Sequence, residues 1–139
     1  VSAACGSGAA ITYLHGAPLP VIEKTITNTI GNVSGMVCDG AKSSCAAKIA
    51  SAVDAAIMGH YMAMDDNTFC AGEGLVKEDV EKTIETVSTM GREGMRQTDA
   101  EILELIRTCT LMNEGKAEGQ CITCLSAFLY PVWNLYFMR

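Results

Sequence analysis

GNVSGMVCDGAKSSC, residues 31–45, is the stretch on which the reading of this chain turns. It packs two cysteines, an acid, a lysine and three glycines into one connection between two segments of helical periodicity. Gly35 and Gly40 permit close backbone approach, Asp39-Gly40 signals a turn, and Lys42-Ser43-Ser44 opens a long small-residue run that reads as a helix. The first N–H groups of a helix lack intrahelical partners and its dipole is positive there. The loop therefore favours an anion, either a thiolate at Cys38 or Cys45 or a substrate carboxylate.

On the N-terminal side, VSAACGSGAAITYLHG (residues 1–16) is almost wholly small or apolar and ends in Gly16 before Pro18, which predicts a buried helix. Gly6 and Gly8 each lower its helix propensity by about 1 kcal/mol relative to Ala, a cost that makes sense if another backbone or a ligand comes close. Val21, Ile22, Thr25, Ile26, Thr29 and Ile30 recur at helical spacing and predict a second helix from Pro20 to about Gly31. On the C-terminal side the Ala- and Ser-rich run from Ser43 to about Met62 predicts a helix packed on every side, with Lys48 and Asp54 at a polar rim or facing a site. Asp65-Asp66-Asn67-Thr68 reads as a loop. Val76, Val80, Ile84 and Val87 mark an amphipathic helix with a solvated charged face. Gly91 and Gly94 interrupt it, and Thr98-Asp99-Ala100-Glu101 reads as a capping box opening a short helix through Ile102 and Ile106. No segment alternates with period two. The expected fold is all-α, a compact bundle of about five helices with the glycine-rich cysteine loop between the second and the third.

At 139 residues the chain is long enough for one domain with its own core. A net charge of −6 argues against nucleic acid, whose phosphates demand clustered Lys and Arg. Seven cysteines form an odd count, and no signal peptide is apparent, so reduced thiols in a cytoplasmic setting are expected rather than a disulfide framework. The opening Val1-Ser2-Ala3 lies inside an apolar pattern and reads as part of something longer. From about residue 111 a polar spacer leads into CITCLSAFLYPVWNLYFM, an atypical hydrophobic tail. Pro131 and Asn134 interrupt that tail, which favours a packing segment or an artefactual end over a membrane span.

Soft thiolates suit iron–sulfur clusters and zinc, and Cys38 and Cys45 flank the glycine loop. Their spacing matches no zinc-finger or ferredoxin pattern, so structural thiols stay open as the alternative. Cys5, in another glycine-bearing stretch, is a third candidate for the same point. Cys121 and Cys124 form a CxxC without a second pair, while Cys70 and Cys109 read as core. A phosphate-loop reading fails because Ala41 stands where the motif needs Lys. His15 and His60, far apart in sequence, are expected at helix ends. Lys42 either orients a carboxylate or moves a proton at the loop, or is a solvated helix-start lysine.

GNVSGMVCDGAKSSCAAKIASAVDAAI, the preceding CGSGAAITYL and the following GREGMRQTDAEIL together resemble the C-terminal half of the serine dehydratase alpha-chain-like family, in its L-cysteine desulfidase branch. The likeness covers roughly residues 1–108, which makes residues 1–110 part of a catalytic domain and 111–139 a separate tail. The resemblance implies a lyase that converts L-cysteine to pyruvate, ammonia and hydrogen sulfide with a [4Fe–4S] cluster and no pyridoxal phosphate. Three cysteines would hold such a cluster and leave one iron open to the amino-acid substrate. Cys38 is the implied ligand here, with Cys45 and Cys5 as further candidates and others upstream in the absent N-terminal half, which makes that half the implied partner. Asp39 and Lys42 take the implied catalytic positions, and Gly35, Gly40 and Ser43 shape the substrate side of the loop. L-Serine ammonia-lyase chemistry, and a non-catalytic helical piece with structural thiols, are the alternatives. An assembly of identical chains is compatible with either.

Overall fold

The computed structural model describes residues 1–37 and 43–112, with backbone alone for 108–112. These residues form five α-helices and no strand: α1 (Ser2–Leu14), α2 (Leu19–Val33), α3 (Ser43–Met64), α4 (Val80–Thr89) and α5 (Arg96–Met112). One π-helical turn, Met90–Gly94, joins the last two. The fold is all-α, as expected. Helices α1, α2 and α3 pack on one another pairwise, α4 lies on α2, and among the described residues α5 meets the rest only through the π turn.

Local chemistry sets most of the helix limits. At the end of α1, Gly16 takes φ 74°, its N–H donating to Tyr13 O at 2.9 Å and that of Ala17 to Thr12 O at 3.3 Å. This paired closure needs a left-handed residue, which Gly supplies. Helix α3 ends in the same way, but with Asp66 at φ 60°. A non-glycine residue there is strained, and the Asp66 carboxylate is tied by an ion pair to Lys24 of α2. The hydrogen bond from Lys24, and then its charge, hold the Asp66 carboxyl below the usual range.

Several expectations change. Helix α1 buries only the stripe Ala4, Gly8 and Thr12, and α3 only one face, from Ala52 to Ala63, so neither is enclosed on every side. Helix α2 passes through Gly31 to Val33. A Cβ at Gly31 would stand 2.7 Å from the Phe69 ring, so this glycine admits the 65–79 loop rather than stopping the helix. Val76 lies in that loop, buried, because α4 starts at Val80, where the Asp79 carboxylate accepts from Lys82 N–H at 2.7 Å. No capping box forms at Thr98. The π turn closes with Met95 N–H on Met90 O and runs into α5 at Arg96, which leaves Thr98 inside the helix.

The core is thin in large side chains. Its main cluster is Ala4, Val33, Ala52, Ala55 and Ala56, with Met36 packed against them, and Ile30, Ala63 and Val76 are also buried. Small residues matter because the backbones nearly touch. A Cβ at Gly8 would lie 3.1 Å from Thr25 Cγ2, and one at Gly59 would lie 2.9 Å from Thr29 Oγ1 and 3.2 Å from Thr25 O. The buried threonines between them turn their hydroxyls back on their own helices, Thr12 to Gly8 O (2.8 Å), Thr25 to Val21 O (2.9 Å) and Thr29 to Thr25 O (2.7 Å). Asn28, 1% exposed, clamps the loop after α3: its amide donates to Asn67 O at 3.0 Å, and its carbonyl accepts from Phe69 N–H at 3.0 Å and the Thr68 hydroxyl at 3.1 Å.

His60 completes this interface. It lies inside α3, not at its end, and is buried. Its Nδ1 is 2.9 Å from Thr12 Oγ1, and its ring stacks on that of His15 with centroids 4.7 Å apart and planes 14° off parallel. Thr12 Oγ1 also lies 2.9 Å from Thr25 Oγ1, so one hydroxyl serves Gly8 O, Thr25 and His60, and the His60 tautomer sets the direction of its bond. Burial, and then the nearby His15, push the His60 pKa down.

Two outcomes follow for stability. Gly59→Ala should lower it by about 1–3 kcal/mol through overpacking, whereas Gly6→Ala, with no atom within 4 Å of the new Cβ, should raise it by up to about 1 kcal/mol. Urea titrations measure both, and equal effects would contradict the close-contact account. For His60 the folded pKa is the lower one, so its contribution is complete above the unfolded value of about 6.5 and is lost as pH falls toward the folded value. His60→Asn keeps a donor near Nδ1 without titrating, so the stability gap between wild type and variant should narrow from pH 8 to pH 5. A constant or widening gap would refute a lowered His60 pKa.

Candidate functional site

Helix α2 hands over to the cysteine loop by a short turn. Ser34 N–H donates to Ile30 O at 2.9 Å and Met36 N–H to Val33 O at 3.1 Å, which brings the Met36 side chain back onto the core. Gly35 is exposed, with nothing within 4 Å of a Cβ added there. Cys38, Asp39, Gly40 and Lys42 lie outside the described residues. The chain resumes at Ser43, exposed at the first position of α3, and Cys45 follows in the first turn, half-buried.

Cys45 lines a groove of about 180 Å³ between α1 and α3, with Val1, Ala4, Met36, Lys48 and Ile49. Its lining is mostly apolar. Lys48 thus proves to be the helix's charged contribution to the groove, while Asp54 faces solvent. The positive end of the α3 dipole lies at the same place. Such a groove can seat a short aliphatic chain beside a thiol and an ammonium.

Cys5 belongs elsewhere. It lines a second groove, of about 460 Å³, between α1, α2 and α4, with Ile26, Ile30, Ile84 and Val87. Burial pushes its thiol pKa up, which favours the protonated form. Cys70, expected in the core, is exposed, its N–H held by the Glu73 carboxylate at 2.6 Å. Among the described residues no three His, Cys, Asp or Glu side chains converge as a metal site. A cluster held by three cysteines does not fit these residues alone.

The Thr12–His60–His15 arrangement, with Thr12 and His60 buried and His15 exposed, was not readable in the sequence. His15 and His60 stand 45 positions apart with no local motif, and only the packing of α1 on α3 joins them.

A family model described as serine dehydratase alpha chain matches residues 1–104. The chain is similar to a UPF0597 protein of Lachnoclostridium phytofermentans, 55% identical over 106 residues, which are 76% of this chain and 25% of that protein. UPF0597 proteins of Finegoldia magna (51% over 102 residues, 73% and 24%) and Treponema denticola (49% over 106 residues, 76% and 25%) resemble it comparably. The chain thus spans about a quarter of the length of these relatives. No solved structure matches it. No helix among the described residues is long and apolar enough to cross a membrane. With the matched region running from α1 into α5 and taking in the cysteine loop, the chain belongs to the serine dehydratase alpha-chain family.

Proposed function

We propose that this chain is a segment of a lyase that eliminates the β-substituent of L-cysteine, and that Cys38 is its contribution to an open-site [4Fe–4S] cluster. The observation that carries the reading is the family match over residues 1–104, which takes in the motif GMVCDGAK. In the reaction the Cα proton is removed, the Cβ–S bond breaks and hydrogen sulfide leaves. The resulting aminoacrylate takes up water to give pyruvate and ammonia. When bound, a cluster with one iron lacking a protein ligand supplies Lewis-acid polarisation of the substrate.

The residues of this chain have narrower tasks. Cys38 offers a thiolate, with Cys45, in the first turn of α3, and Cys5 as the weaker candidates; these two open onto separate grooves. Lys42 orients the substrate carboxylate or moves a proton, Asp39 is the second catalytic candidate of the loop, and Gly35, Gly40 and Ser43 shape its substrate side. Because the segment is a quarter of its relatives' length, the remaining ligands and the general base belong to the rest of the polypeptide. Iron–sulfur chemistry of this kind suits a reducing cytoplasm.

The family's own description names serine, which favours a second reading, the same elimination on L-serine with loss of water. Sulfide release from cysteine measured against pyruvate formation from serine separates the two.

Anaerobic reconstitution of the full-length polypeptide should give a brown protein with about four iron atoms per chain, and Cys38→Ser should remove both the colour and the lyase activity. A colourless protein that still eliminates would overturn the cluster. Iron bound stoichiometrically without activity on either amino acid would overturn the lyase reading.

A further inference from the structure

We infer that the outward face of α1, formed by Ala3, Gly6, Ala10 and Tyr13 with Leu14 beside it, is a contact surface covered by the remainder of a longer polypeptide. Spacings of three and four residues place the first four on one side of the helix, and all five are exposed. Tyr13 is 70% and Leu14 82% exposed, yet the largest side chains below 2% exposure among the described residues are Val76, Asn28 and four threonines. A self-contained domain distributes its side chains the other way, large apolar groups inside. Here the bulky groups at the end of α1 are outside and small polar ones are inside.

Gly6 is a second, independent sign. Gly8 and Gly59 have their explanation in the approach of α2, but a Cβ at Gly6 would find nothing within 4 Å. Gly6 borders the groove between α1, α2 and α4, yet a Cβ there would touch no atom of it, so among the described residues nothing requires this glycine, which costs helix stability, and a contact from outside them accounts for it. Charge points the same way. Residues 1–22 contain no Asp, Glu, Lys or Arg, although half of this stretch faces outward, and a helix without a polar face is one that packs on every side.

The occupant is argued from length. The relatives are about four times as long as the segment they share with this chain, and their remaining residues must pack on it somewhere. The chemistry of the face calls for an apolar, uncharged helix that comes backbone-close at Ala3, Gly6 and Ala10 and encloses Tyr13. This inference rests on the chain being one part of a longer polypeptide and not on the elimination chemistry, so its test reads no activity.

Hydroxyl-radical footprinting of the 139-residue chain and of the full-length polypeptide that carries it should show Tyr13 and Leu14 reactive in the first and several-fold protected in the second. Equal reactivity in both would overturn the proposal. So would protection already present in the short chain that fades on dilution, which would make a second copy the occupant. Gly6→Leu supplies the second reading: in the short chain the melting temperature should hold or rise, and in the full-length polypeptide it should fall. The same change in both would mean that the face contacts nothing.

Discussion

Close approach of three helix backbones at two glycines is the constraint on which the structure depends. Helix α2 is wedged between α1, which yields at Gly8, and α3, which yields at Gly59. Threonine is a poor helix former, but at this distance its size is what the interface admits, and its hydroxyl satisfies itself on the carbonyl one turn back. Burying these polar groups therefore leaves no donor unpaired, which is where the cost of buried polarity lies. The same closeness brings Thr12 within reach of His60 and seats the two imidazoles on one another.

That packing also sets where the first turn of α3 emerges. Asn28 and the Lys24–Asp66 pair lock the far end of α3 to α2, so the near end, with Cys45, must emerge beside the N-terminal turn of α1. The groove formed there has α1 on one side and α3 on the other, with Met36 as its base. Among the described residues it gathers one thiol and one ammonium and not a full set of metal ligands.

Much of the helical framework was legible in the residues. Gly16 ahead of Pro18 signalled the end of α1 because a left-handed closure wants glycine, and the Val21 to Ile30 pattern marked α2. Gly6 and Gly8 were both read as places of close approach, and among the described residues only Gly8 has one. Gly31 and Thr98 misled for a shared reason: each carries a local signal, helix stop or helix cap, that a longer-range arrangement outweighs. Phe69 needs the space at Gly31, and the π turn carries the helical path past Thr98. Val76 was assigned to α4 by its spacing, although it is the buried centre of a loop. The Cys70 thiol looked like core by composition and is exposed.

By itself the sequence determined the all-helical class, the order of the helices and, through its motifs, the family. Those properties depend on periodicity, turn chemistry and residue order, all of which are local along the chain. Only the tertiary structure decided which faces are buried, that Cys5 and Cys45 open onto different grooves, and that two histidines 45 residues apart share one stack. Such facts depend on how helices rotate against one another, and that rotation is set by the near-contact of backbones at Gly8 and Gly59, which no single helix contains.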